Sequence, residues 1–546
     1  MYKKINIILF LLLSLLIVIT VTVQSFLQHW SGAWDLDFWY IYNASIMSSG
    51  IQQEWYDHPA TTVLSLYSIF YKIYSLFDHS FIYKISEIMD SSNPNLVLQK
   101  LFFVTRIFDS INTIFIVFFT FKISKILSSK DIYAYFLTLT VVASATFLQN
   151  LSVLNSEDWA VLFFLISFYY FLKFFIHNNV SFLILSGLFF FFSFFTKISI
   201  LFLFIFIILL IPIFCEMYST KSNSSIQKRL EKNFFLLFSS YLIFLLFYFI
   251  AHVFVLDKLD PFSKNAGLDV TIILTLNAIY MGFFFIICKF NFLKFKTYFS
   301  IFVIFLSGFS MGIIIFLAID ILNIAKLNPK ILVHLVKPFY KMLNFAYAPS
   351  GMESNMLGPA LLGTSMNIIN EVLLVLSKIF SNFHFDNFLF LGLCFIFIIS
   401  TFKDLSKKDT YSFLFKLIIF LGIVFNTLLW NFRWWIEYNI LVHILYVILL
   451  SVCFKNLPSK IIKFFCIIST IYILIFLPIK KYTYYTKLIS PRASVLVDLC
   501  NNFGSHQPPD NYFIFKRYSL QFNSDTFSKI CNLPKSRFRG YKYFVE

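Results

Sequence analysis

The chain reads as an all-α polytopic membrane protein, and three observations predict that class. Hydrophobic residues fill 59% of the 546 positions, and mean hydropathy is +0.79. The apolar residues gather in runs of bilayer length, which in lipid satisfy their own backbone groups only as helices. The net charge of +17 sits in small clusters between those runs. That pattern argues against a nucleic-acid partner and fits the positive-inside bias of membrane proteins.

Taken in order, the runs predict spans near 6–27, 98–121, 132–150, 158–176, 181–196, 198–216, 234–256, 269–288, 298–323, 386–402, 411–430, 438–454 and 461–478. That is about 13 transmembrane helices by the ~20-residue criterion. The first run follows Lys3 and Lys4. It is too long for a secretory h-region and lacks a small-residue cleavage site, so a retained anchor is expected. Basic clusters at Lys122/Lys125/Lys130, Lys173, Lys221/Lys228/Arg229/Lys232, Lys289/Lys294/Lys296, Lys403/Lys407/Lys408 and Lys455/Lys460/Lys463 all fall on the side of Lys3 and Lys4. A multi-pass topology with a cytoplasmic N-terminus follows.

The stretch 361–380 is apolar but carries Asn367, Asn370 and Glu371. Counting it as a span would place Lys403, Lys407 and Lys408 outside. It is expected instead as an amphipathic helix at the interface, within a long outward loop, 324–385. Residues 1–478 then form a transmembrane module, and 479–546 a small C-terminal extracytoplasmic region near the lower size limit for an independent core.

Of the cysteines, Cys215, Cys288, Cys394, Cys453 and Cys466 lie in or beside apolar runs without metal-ligand spacing. Cys500 and Cys531 share the outward tail, where an oxidising compartment would allow them to pair. No G-x-G-x-x-G, Walker A or H-E-x-x-H pattern occurs, so dinucleotide, ATP-hydrolysis and zincin chemistry lack a motif.

The outward side collects the chemistry. The first outward loop, 28–95, holds Asp35, Asp37, Gly50, Asp57, His58 and Pro59 among the aromatics Trp34, Trp39, Tyr40 and Tyr42. Two carboxylates two residues apart can approach one divalent cation or one sugar hydroxyl, and aromatic faces suit a sugar ring. The plain alternative is a hydrated loop. Glu157 and Asp158 precede Trp159 at the next outward turn, where acids are also welcome simply as helix N-terminal residues. Lys197 interrupts two apolar runs on the outward side, against the charge bias. An uncompensated lysine at membrane depth is costly, although a snorkelling lysine at a helix end would avoid the cost. Arg433, between Phe432 and Trp434, is the second outward exception. Its planar fork suits phosphate oxygens, and an Arg433–Glu437 helix pair is the alternative.

The order Asp35-Leu36-Asp37, Gly50 and Tyr56-Asp57-His58-Pro59 resembles the first outward loop of GT-C glycosyltransferases, in particular the branch of aminoarabinose transferases and protein O-mannosyltransferases. Those relatives often show Asp-Glu where this chain has Asp35-Leu36-Asp37, and Pro-Pro where it has Pro59-Ala60. The stretch Gly187–Lys197 resembles their segment ending in Leu-Thr-Lys, with Phe195 in place of leucine.

The resemblance implies a GT-C-like fold and a polyprenyl-phosphate-linked sugar donor. It implies a catalytic base at Asp35 or Asp37, donor-phosphate contacts from His58, Lys197 and Arg433, and Glu157 and Asp158 as acceptor or metal ligands. Oxygen ligands at Asp35, Asp37 and Glu157 would suit Mg²⁺ or Mn²⁺, and branches of the family differ in needing one. The expected function is sugar transfer, with inversion, to a glycan, lipid or protein acceptor on the extracytoplasmic side.

Two rivals remain open. A transporter or flippase would show internal repeats and broken helices, and no internal symmetry is visible. A polysaccharide polymerase or ligase of cell-envelope glycans would concentrate basic residues in a later loop, where His334, Lys337, Lys341 and Glu353 stand.

Overall fold

A computed structural model describes residues 2–26, 39–53, 60–92, 94–128, 130–142, 144–151, 154–218, 230, 232–250, 266–289, 291–332, 385–431, 436–457, 460–462 and 464. Among these residues the chain is all-α and contains no strand. In order, the helices are α1 Tyr2–Phe26, α2 Trp39–Ser48, α3 Thr61–Phe77, α4 Ile85–Asp90, α5 Pro94–Ser128, α6 Asp131–Val142, α7 Ala145–Asn150, α8 Ser156–His177, α9 Val180–Thr196 and α10 Ile200–Tyr218. They continue as α11 Phe234–Ile250, α12 Ala266–Ile287, α13 Phe292–Ile321, α14 Phe385–Ser406, α15 Thr410–Asn431 and α16 Ile436–Asn456. Leu96–Ser128, Ser156–His177 and Phe292–Ile321 are long and apolar enough to cross a bilayer, and several shorter apolar helices accompany them. The chain is therefore an all-α protein with the composition of a membrane protein.

Local chemistry sets the boundaries. Proline at the first position of α5 loses no intrahelical bond there. Asn155 caps α8 by accepting from the Asp158 N–H at 3.1 Å, and Asn178 ends it in the left-handed conformation at φ 54°. Asn179 caps α9 from the next position, so α8 and α9 form a tight antiparallel hairpin.

The single span expected over 132–150 is two helices. Thr138, Thr140, Val141 and Val142 crowd the end of α6 with β-branched side chains. Ser144 Oγ then accepts from the Phe147 N–H at 3.3 Å and starts α7 afresh. The segment 28–95, expected as a loop, contains the helices α2, α3 and α4 among its described residues. The 361–380 helix, the 479–546 tail, Cys500 and Cys531 lie outside the described residues, as does all but the start of the span near 461–478.

At the core is α16, buried at every position from Ile440 to Phe454. A helix apolar all round belongs at the centre of a bundle, and α5, α6, α7, α8, α14 and α15 surround it. On the other flank α9 lies against α13. A Cβ at Gly187 would overlap the Phe305 carbonyl oxygen, and one at Gly308 that of Ile184. Glycine alone permits this backbone approach, and Phe191 then packs on Phe309 and Phe316 with ring centroids 5.1 and 5.0 Å apart. In contrast, α11 turns Phe235, Leu236, Ile243 and Leu246 outward, as a lipid-facing helix does.

The chain after α13 returns to the α2–α3 layer. The Lys326 N–H donates to Met47 O at 3.3 Å, Asn328 Nδ2 to Gln53 O at 3.0 Å, and Lys72 Nζ to Ile324 O at 2.6 Å. The start of the 324–385 segment therefore shares one end of the bundle with the first loop.

Candidate functional site

Beneath α2 and α3 lies a buried polar layer built from α5, α8 and the end of α9. Because α8 and α9 are antiparallel, the first turn of α8 meets the residue after α9. Lys197 Nζ stands 2.5 Å from Glu157 Oε1, with the two side chains 9% and 2% exposed. The second Glu157 oxygen accepts from Ser156 Oγ at 3.1 Å. The lysine is thus neutralised in place instead of snorkelling outward.

One face of α5 supplies the rest. Arg106, Asp109 and Asn112 recur at three-residue spacing and are all buried. Asp109 Oδ1 accepts from Trp159 Nε1 at 2.9 Å and from the Tyr67 hydroxyl at 3.2 Å. Arg106 Nη1 lies 3.9 Å from Asp109 Oδ2 and 3.5 Å from Ser25 Oγ, and its guanidinium carbon is 4.9 Å from the Phe102 ring centroid. Asp158 accepts from its neighbour's N–H at Trp159 at 2.8 Å and from Asn112 Nδ2 at 3.0 Å. Trp159 thus donates to a carboxyl on each helix, its indole N–H to Asp109 on α5 and its backbone N–H to Asp158 on α8.

Two tyrosines cover the layer. Burial, reinforced by Glu157, pushes the Tyr40 hydroxyl well above the usual phenol range. Burial and then Asp109 act in the same direction on Tyr67. Both remain O–H donors at any physiological pH.

Of the residues singled out in the sequence, Glu157, Asp158 and Lys197 come together in this layer. Asp35, Asp37, His58 and Arg433 lie outside the described residues. Their described chain neighbours Tyr40, Gln53 and Ala60 are buried in the α2–α3 cover. Sequence reasoning overlooked Arg106, Asp109, Asn112 and Tyr67, and read Tyr40 only as an aromatic face for a sugar. The i, i+3, i+6 series of Arg106, Asp109 and Asn112 inside an apolar run was a readable signal, since ionisable residues at membrane depth mark functional or paired positions.

For a divalent cation, no group of three or more His, Cys, Asp or Glu suited to a metal occurs among the described residues. Glu157 commits its oxygens to Lys197 and Ser156. The other two residues expected to hold a cation, Asp35 and Asp37, lie outside the described residues.

Two further ion pairs, one buried and one partly exposed, lie at the opposite end of the bundle. Lys416 Nζ is 2.5 Å from Asp404 Oδ2 and 2.6 Å from Ser400 Oγ, which staples α14 to α15. Glu216 on α10 accepts from Lys294 at 2.7 Å and Tyr298 at 2.5 Å on α13. Comparison of the chain with known protein families, curated proteins and solved structures finds no match.

Proposed function

We propose that the chain is a GT-C-like membrane glycosyltransferase that moves a sugar from a polyprenyl-phosphate donor to a glycan, lipid or protein acceptor at the extracytoplasmic face. The observation that carries this reading is the Lys197–Glu157 pair, which lies 2.5 Å apart beside Tyr40. Tyr40 follows Asp37 by three residues. The proposed phosphate-binding lysine thus belongs to the same layer as the chain leaving the acidic motif.

In this mechanism the donor diffuses in laterally from the bilayer. Lys197, His58 and Arg433 offset charge on the leaving phosphate. In the unliganded protein Glu157 holds the Lys197 ammonium in position, and the donor phosphate joins or replaces that partner. Asp35 or Asp37 takes the proton of an acceptor hydroxyl as its oxygen attacks the anomeric carbon, inverting it. General-base assistance of this kind contributes about 10²–10⁴ in rate. The proposed topology of about 13 spans, with the N-terminus cytoplasmic, puts this layer at the outer face.

Donor titration in proteoliposomes tests the phosphate contact. Lys197→Arg should keep turnover with a raised KM for the donor. Lys197→Met combined with Glu157→Gln should fold, because the pair is removed whole, and should raise that KM further. A donor KM unchanged in both variants contradicts the assignment. A transporter is the second reading, favoured by the buried Arg106, Asp109 and Asp158. Translocation of an intact lipid-linked sugar without transfer would establish it.

A further inference from the structure

The first turns of α11 and α13 meet at the end of the bundle away from the polar layer. Phe234 packs on Phe292 and Phe299 there, with ring centroids 6.2 and 5.7 Å apart. Lys296 Nζ stands among three rings of this junction, 5.5 Å from the centroid of Phe234, 5.6 Å from Phe235 and 4.8 Å from Phe292. Ring faces attract an ammonium through their quadrupole, yet they supply no oxygen to its three N–H donors. Those donors meet no protein oxygen among the described residues. Glu216, the carboxylate at the end of α10, is engaged by Lys294 and Tyr298. Lys232, two residues before Phe234, and Lys289, three before Phe292, are exposed and face no carboxylate among the described residues. This corner therefore carries three cations without a counter-ion on the described chain.

The surface leading away from it is apolar. Phe235, Leu242, Leu246 and Ile250 recur at steps of seven, four and four residues along α11 and are exposed, with Leu236 and Ile243 beside them. At 1.5 Å per residue this strip runs about 22 Å. One leaflet of a bilayer is about 15 Å of hydrocarbon, so acyl chains reaching the midplane fit along it. A cation at the head of an apolar strip of leaflet length is the complement of an amphiphile with an anionic head.

We propose that this corner binds one anionic glycerophospholipid, its phosphate on Lys296 and its acyl chains along the strip from Phe235 to Ile250. Lys232 and Lys289 add to the attraction for a net negative headgroup. The choline of a zwitterionic lipid would meet the same lysines and rings already faced by an ammonium, so it is disfavoured. In the proposed topology this end is cytoplasmic, the side whose leaflet carries anionic lipid. The site stands without the transferase reading, because it shares no residue with the polar layer.

Native mass spectrometry of the full-length protein, titrated with phosphatidylglycerol or phosphatidylcholine of matched acyl chains, tests it. The wild type should bind phosphatidylglycerol more tightly. Lys296→Gln should weaken that binding about fivefold, the attraction of one lysine for an anionic lipid surface, and leave phosphatidylcholine binding unchanged. Lys122→Gln removes an ammonium that faces the Phe118 ring at 5.1 Å, and should leave both affinities as they are. Phe235→Ala removes a ring that is 73% exposed and should also weaken phosphatidylglycerol binding, which keeps the test open should Lys296→Gln fail to fold. Equal wild-type affinity for the two lipids, equal losses in Lys296→Gln and Lys122→Gln, or unchanged binding by Phe235→Ala overturns the proposal. A polyprenyl phosphate that binds more tightly than phosphatidylglycerol, through Lys296, overturns it as well and marks the corner as a polyprenyl site.

Discussion

Lys197 Nζ and Glu157 Oε1, 2.5 Å apart and nearly out of reach of solvent, join the two ends of the α8–α9 hairpin at the level where α5 presents Asp109. The pair converts two isolated charges, each expensive at this depth, into one local dipole. Single neutral substitutions and the double substitution should therefore differ.

Lys197→Met or Glu157→Gln alone leaves one buried charge unpaired, which costs about 3–5 kcal/mol. The double variant should recover most of that loss. Thermal melts in detergent would check this, and equal melting points for the single and double variants would show that the pair is not coupled.

The glycine contacts between α9 and α13 predict a second effect. Gly187→Ala or Gly308→Ala forces a methyl group into a facing backbone carbonyl, and overpacking of this kind costs about 1–3 kcal/mol. Gly282, whose Cβ would meet nothing within 4 Å, serves as control, and Gly282→Ala should melt no lower than wild type.

Trp159→Phe removes a donor 2.9 Å from Asp109 Oδ1 while keeping the stack on Phe108, whose ring centroid is 5.2 Å away. A hydrogen bond to a charged group contributes about 1.5–3 kcal/mol. The variant should lose that amount of stability, as measured by denaturant or thermal unfolding, and Tyr67→Phe should lose less because its bond to the same oxygen is 3.2 Å.

A pH effect belongs to Asp78, where Ser80 and then Lys100 hold the carboxyl below its usual range. Lys100 Nζ is 2.9 Å from Asp78 Oδ2 and ties the end of α3 to the start of α5. A depressed carboxyl contributes stability above its unfolded value, about 3.9, and loses it as pH falls through the lower folded value. Asp78→Asn should therefore melt below wild type at neutral pH, and the gap should close under acid.

The helical class was legible because apolar run length is set by bilayer thickness, and α8, α9, α10, α15 and α16 begin and end within about two residues of the expected spans. The polar layer was only half legible. Glu157, Asp158 and Lys197 stood out as charges at run ends, whereas Arg106 and Asp109 were read as part of an ordinary span. Their significance depends on Trp159 and Tyr67, 50 and 42 positions away, which no local pattern connects. The helices inside 28–95 escaped for a related reason. Their stability comes from tertiary burial of Tyr40, Tyr67 and Tyr71, and local hydropathy does not record that.

The central claim is sugar transfer dependent on the acidic motif, and its most direct measurement uses synthetic polyprenyl-phosphate sugars in proteoliposomes. Wild type should consume at least one donor with formation of an inverted glycoside. Asp35→Ala or Asp37→Ala, at matched folding, should lower that turnover by about 10²–10⁴. Donor consumption that both variants retain, or none from any donor, would contradict the account.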